Sequence, residues 1–250
     1  MGPGGANADF AARRRRNPLP SWVIAQPRDH VGEGSSVTHW LSQSLVLSSD
    51  YRIPDPERVW PVLEKRQAAL ADMGAHHVLF YVSMSDPGRV MVLLAIHTKE
   101  TVIELLRSRV FFDYFDAVGV EDIPAVFAGE LVERLELVTE PALAAPEVMV
   151  SVVTTVDDVA RLIMHVRETA AELRAGGVRK VLIFDAFDDA REVMMLFEID
   201  DELHARHWLR DSEMADEWMG KAGIGAYPPV FVGRLRRAIR VAEPGRAGSH

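Results

Sequence analysis

The chain carries one pattern twice, about 103 residues apart, and that duplication limits its fold more than any motif does. Gly74-Ala-His-His-Val78-Leu79-Phe80-Tyr81 aligns with Gly177-Val-Arg-Lys-Val181-Leu182-Ile183-Phe184. At the same offset Asp86 meets Asp189, Val90-Met91 meets Val193-Met194, and Leu93 and Ile96 meet Leu196 and Ile199. Leu106-Arg107 then meets Leu209-Arg210, Asp113 meets Asp216, and Phe115 meets Trp218. After one inserted residue, Gly119 meets Gly223, Pro124 meets Pro228, and Val126-Phe127-Ala128-Gly129 meets Val230-Phe231-Val232-Gly233. Chance rarely keeps such agreement through a single-residue gap. The chain therefore folds as two copies of one unit.

Each copy shows the same order of periodicities. Leu45–Ser49 and Val148–Thr154 are short β-branched and apolar runs, expected as first strands. Pro56–Met73 and Val156–Ala175 carry apolar residues at helical spacing, with Asp157 as the expected N-cap of the second. Gly74 and Gly176-Gly177 are expected helix stops. Two strands follow in each copy, Val78–Ser83 with Val90–His97 and Val181–Phe187 with Val193–Ile199, joined by connectors of hairpin length. A second helix spans about Thr98–Val118 and Asp201–Ala222, and a closing strand Val126–Leu137 and Val230–Val241. The order β-α-β-β-α-β, twice, is the ferredoxin-like unit, and the fold class is α+β. Such a unit has helices on one face of an antiparallel sheet and leaves the other face bare. The second copy supplies the cover.

The two copies, from Gln43 to Ala242, resemble the dimeric α/β-barrel superfamily of antibiotic-biosynthesis-type monooxygenases and stress-responsive barrel proteins. Beyond element order, the resemblance rests on Ala117-Val-Gly-Val…Pro124-Ala-Val-Phe and Ala222-Gly-Ile-Gly…Pro228-Pro-Val-Phe. These segments lead from the second helix into the last strand. The resemblance implies an intrachain barrel, a pseudo-dimer built from residues 43–140 and 146–242. It also implies a site for a small hydrophobic molecule, between sheet and helices or inside the barrel. A cofactor-independent monooxygenase or a cyclase acting on an aromatic substrate fits that expectation. A filled barrel serving as a non-enzymatic interaction module is the alternative, and a haem-binding barrel is another. Fold alone does not choose among them.

Candidate chemistry comes from positions where the copies differ in charge. Ala95 corresponds to Glu198 and Val82 to Asp185. Either carboxyl, facing a desolvated interior, serves as a general acid or base; facing solvent or a cation, it is structural. His204 and His207 stand three apart on a predicted helix, and with Glu198 or Asp200 they offer a two-histidine, one-carboxylate geometry. That spacing is equally common on surface helices, and no metal is expected. No cofactor is expected either; for the haem alternative the ligands are His165, His204 or His207. The expected catalytic set is Glu198, His207 and Asp185. Trp208, Trp218 and Tyr227 are the expected ligand-binding residues, although aromatics at helical spacing, like Phe111, Phe112, Tyr114 and Phe115, usually build core. Met91, Met194 and Met195 are expected as core filler. Gly220-Lys-Ala-Gly223-Ile-Gly225 follows a helix instead of a strand, so it reads as a helix stop and not a nucleotide loop.

Composition narrows the rest. With no cysteine, disulfides, thiolate nucleophiles and cysteine-held metal clusters are excluded. No apolar run approaches the roughly 18 residues of a spanning helix, and no secretory h-region opens the chain, which together point to the cytoplasm. The first 42 residues hold five arginines, four of them Arg13–Arg16, against Asp9, Asp29 and Glu33. They carry +2, and the remainder of a chain of net charge −9 carries −11. That balance argues against nucleic acid as a partner of the folded part. The arm, residues 1–42, and the tail, 243–250, are expected to be disordered, the arginine run being a solvated segment or a contact for an anionic surface. Lysine is confined to Lys65, Lys99, Lys180 and Lys221, a usage expected of a GC-rich bacterial source. Fusion of the two units leaves homo-oligomer formation open.

Overall fold

A computed structural model describes residues 45–138, 146–210, 218, 220–222, 224 and 229–241. The expected N-terminal arm, the C-terminal tail and Tyr227 lie outside the described residues. The same holds for the side chains of His207 and Trp208.

The first repeat runs β1 (Leu45–Arg52), α1 (Val59–Lys65), α2 (Gln67–Asp72), β2 (Ala75–Ser83), β3 (Arg89–Ile96), α3 (Lys99–Arg107), α4 (Arg109–Val118) and β4 (Ala125–Glu136). The second runs β5 (Val148–Thr155), α5 (Val159–Glu168), α6 (Ala170–Ala175), β6 (Val178–Ala186), β7 (Glu192–Ile199), α7 (Glu202–Arg210) and β8 (Val230–Arg240). Both repeats thus show the expected order. Three of the four expected single helices are broken, however. Arg66 ends α1 with φ −101° and ψ 8°, and Thr169 ends α5 at the equivalent place, its hydroxyl bonded back to the His165 carbonyl at 2.8 Å. Ser108 leaves the helix altogether and caps α4, its Oγ accepting from Phe111 N at 3.3 Å. The N-cap of α5 is Asp158, not Asp157: Asp158 Oδ1 accepts from Ala160 N at 2.8 Å and Arg161 N at 3.2 Å.

The two sheets join edge to edge in a closed antiparallel barrel, β1-β3-β2-β8-β5-β7-β6-β4, with β4 returning to β1. The long last strands make this possible. The first half of β4 pairs β1 (Ala125 to Glu130), while its second half pairs β6 across the repeat boundary (Gly129 to Glu136). In the same way β8 pairs β5 within its repeat and β2 across it. Closure leaves no free strand edge in the barrel.

Alternation along the strands sorts the side chains into three layers. Val46, Met91, Phe184, Met194 and Phe231 belong to the barrel interior. Leu47, Val92, Leu94, Leu63 and Phe115 pack between the outer sheet face and the first-repeat helices, and Val150, Met195, Phe197 and Val166 do so in the second. The repeated Phe-x-Gly of the last strands belongs to the interior. A Cβ on Gly233 would stand 2.3 Å from Phe231 Cε1 and 3.0 Å from Tyr81 Cβ; one on Gly129 would stand 2.8 Å from Phe127 Cε1. Each glycine gives the ring two residues before it room to lie against the strand. Among the described residues no helix is long and apolar enough to cross a membrane.

Candidate functional site

The barrel interior is packed and closed at both ends by ion pairs. At one end Arg89 Nε bonds Asp50 Oδ1 at 2.9 Å and Nη1 bonds the Val230 carbonyl at 3.1 Å, with the guanidinium 5.4 Å from the Phe231 ring centre. At the other, Lys180 Nζ donates to Glu198 Oε2 at 3.0 Å, with Glu136 Oε1 at 3.7 Å. Glu198 thus points inward, as one of the two expectations had it, and is only 8% exposed. Its charge is matched there by a cation. Tyr81, fully buried nearby, donates to the Pro146 carbonyl at 3.0 Å, and burial with the Glu198 charge holds its hydroxyl well above the ordinary tyrosine range.

A cavity lies outside the barrel, under the helices of the first repeat. The sheet contributes Leu47, Val92 and Leu94; the helices contribute Leu63, Leu105 and Phe111. The atom-free space, open mouth included, is about 520 Å³. The polar residues on its lining are Ser49, Arg66 and Tyr114. Arg66, at the break between α1 and α2, donates to the carbonyls of Val110 at 3.0 Å and Asp113 at 3.4 Å, tying that break to the first turns of α4. Tyr114, 8% exposed, meets the hydroxyl of Tyr51, 3% exposed, which lies outside the lining. Burial raises the pKa of both hydroxyls; for Tyr51 the neighbouring Tyr114 adds to it, while for Tyr114 the Tyr51 hydrogen bond and Arg66 oppose it. Both phenols are neutral over the physiological range.

Several wall positions of this pocket carry different residues in the second repeat. At the 103-residue offset Val92 becomes Met195, Leu94 becomes Phe197, Ser49 becomes Val152 and Phe115 becomes Trp218. The strand registers confirm the equivalence, since Leu47 faces Leu94 and Val150 faces Phe197. Where the first repeat places Arg66, the second places Thr169, and Trp218 Nε1 donates to its hydroxyl at 2.9 Å. The Trp218 ring packs edge-on against Phe197 at 6.0 Å and against His165 at 5.2 Å. Three wall positions are thus larger in the second repeat, and an indole is anchored where the first carries Phe115.

Of the expected catalytic residues, Glu198 and Asp185 lie apart, on opposite faces of the sheet, and the side chain of His207 lies outside the described residues. Asp185 sits on the outer face of β6, facing Glu130 of β4, and does not line the pocket. Burial first, and the Glu130 charge second, push its carboxyl above the ordinary value; its Oδ1 is buried with no hydrogen-bond partner among the described residues. Glu198 does not join His204 in a two-histidine, one-carboxylate set, and the side chain of His207 lies outside the described residues. Glu198 faces the interior whereas α7 covers the outer face, and His204 Nδ1 lies 3.2 Å from Asp201 Oδ1 while its ring covers Gly177. Among the described residues no three His, Asp or Glu side chains are placed to hold a metal ion. His165 Nε2 is buried with no hydrogen-bond partner among the described residues, and Trp218 packs on its ring. Met91, Met194 and Met195 are core, as expected, whereas Phe112 is 57% exposed at the pocket's rim helix.

Comparison with solved structures agrees with this geometry. The chain matches an anthrone oxidase-like protein with a TM-score of 0.60 at 9% identity, over 82% of this chain and 97% of that one. It matches a protein provisionally assigned as a chlorite dismutase with a TM-score of 0.52 at 15% identity, over 78% of this chain and 95% of the other. No model of a known protein family matches the chain, and no curated protein does. At such identities the likeness is one of fold.

Proposed function

We propose that this chain, whose fold is a dimeric α/β barrel with both units fused in one chain, binds a small, mainly apolar molecule in the first-repeat pocket. The observation that carries this reading is the first-repeat cavity itself, an apolar space of about 520 Å³ with Ser49, Arg66 and Tyr114 on its lining. An apolar wall with a few convergent polar groups is the ordinary form of a small-molecule site. The polar groups on the lining are hydrogen-bond donors or hydroxyls, and no carboxylate or imidazole is among them. Monooxygenase- or cyclase-like chemistry in this pocket would then rest on polarising an oxygen of the substrate and on excluding water. It would not rest on a lining base. A cytoplasmic location belongs to the same proposal.

Filling the pocket with the second repeat's own residues tests it. Val92→Met with Leu94→Phe should reduce binding of an apolar fluorescent probe at least tenfold and leave the fold intact. Equal binding by this variant and the wild type would remove the pocket as the site.

The packed interior favours a second reading, a non-enzymatic interaction module that associates with further copies. Exposed Phe112, Ile123 and Leu203 would lie on its contact faces. Sedimentation velocity separates the two. A stable oligomer lost on Phe112→Ser would support association, and a monomer at all concentrations would exclude it.

A further inference from the structure

The inner end of the pocket specifies the ligand's chemistry, given the binding role proposed above. Tyr51 Oη and Tyr114 Oη share one hydrogen bond, and among the described residues neither has a second partner. Two hydroxyl protons serve one bond, so one O–H remains unspent. If Tyr114 donated to Tyr51, the surplus proton would belong to Tyr51, which is 3% exposed and away from the lining. A buried donor without an acceptor is costly. If Tyr51 donates to Tyr114, the surplus proton belongs to the residue that lines the cavity. The second arrangement wins on that ground. It also strengthens Tyr114 as a donor, because a hydroxyl that accepts a hydrogen bond gives its own proton more readily.

We propose that the pocket selects ligands that present an acceptor oxygen, a ketone carbonyl or a phenol-type oxygen, on a compact apolar body. Tyr114 Oη donates to that oxygen, and Tyr51 holds Tyr114 in the donating orientation. The rest of the lining agrees. Arg66, the charged group there, is a cation, so an amine-bearing ligand finds no counter-charge, whereas an oxygen that gains negative character is favoured.

Two bicyclic probes of matched size test the inference: naphthalene, which has no acceptor, and 1-tetralone, which has a ketone. Their affinities are measured on the full chain and on Tyr114→Phe and Tyr51→Phe. The wild type should bind 1-tetralone at least tenfold more tightly than naphthalene. Tyr114→Phe should abolish that preference and keep naphthalene affinity within about twofold, which also shows that the pocket has folded. Tyr51→Phe should keep part of the preference. Equal affinity for the two probes in all three proteins would leave the pocket standing and overturn the selectivity. Loss of preference in Tyr51→Phe but not in Tyr114→Phe would overturn the assignment of the donor. Failure of both probes to bind the wild type would overturn the pocket reading itself.

Discussion

Lys180 and Glu198 face each other across β6 and β7 at 3.0 Å, pointing into one end of the barrel where the first repeat carries His77 and Ala95. The pair is a structural plug that the second repeat alone carries. Removing one partner strands a charge that is largely cut off from water, which costs about 3 kcal/mol or more. Lys180→Met should therefore lower stability by roughly that amount in urea unfolding. Lys180→Met with Glu198→Met should recover most of the loss. A single variant as stable as the wild type would mean that Glu198 reaches solvent.

Gly233 is fixed by the ring of Phe231. A Cβ there would stand 2.3 Å from Phe231 Cε1, inside any allowed contact. Gly233→Ala should cost about 1–3 kcal/mol by overpacking. Adding Phe231→Leu should return part of it, a coupling that thermal unfolding of the single and double variants will read.

Three histidines gather at the same barrel end in the first repeat. His76 Nδ1 and His77 Nδ1 are 2.6 Å apart, and the His97 ring stacks on His76 at 4.4 Å. Burial lowers His76 to about 4, helped by His77, His97 and Arg240; burial lowers His77 to about 4, helped by Arg240 and His97. The folded chain therefore resists protons that the unfolded chain accepts from about pH 6.5 downward. The stability associated with the neutral pair is complete above about pH 6.5 and is lost as pH falls toward 4. Between pH 7 and 5, few carboxylates titrate. His76→Gln with His77→Gln should flatten the decline in the urea midpoint over that interval, and an unchanged decline would assign it to other groups.

Arg66 joins the α1–α2 break to α4 through two carbonyls at the pocket. Arg66→Met keeps the side chain's apolar length and removes both bonds. Hydrogen exchange of the α4 amides should speed up severalfold, with β1 and β3 unaffected. Equal protection of α4 in both proteins would show that its position is set by packing alone.

The duplication and the element order were legible because strands and helices leave periods that alignment of the copies reinforces. The helix breaks were not. Arg66, Thr169 and Ser108 sit inside runs whose apolar spacing continues across them, and only local hydrogen bonding ends the helix there. The pocket is not legible for a different reason. Differences of charge between the copies, Ala95 against Glu198 and Val82 against Asp185, point to the second repeat. The pocket lies in the first, where Val92 and Leu94 stand in place of the larger Met195 and Phe197. Tyr51 and Tyr114 lie sixty-three residues apart, so no spacing rule joins them. Closure of the barrel was legible as cover for a bare sheet face, but the long β4 and β8 that pair two partners each carry no sequence signal beyond their length.

A crystal of the protein soaked with 1-tetralone tests the central claim most directly. The ligand should lie between α4 and the outer face of β1 and β3, with its ketone oxygen within hydrogen-bond distance of Tyr114 Oη. Density inside the barrel, under α5 of the second repeat, or nowhere in the first-repeat pocket would contradict the account.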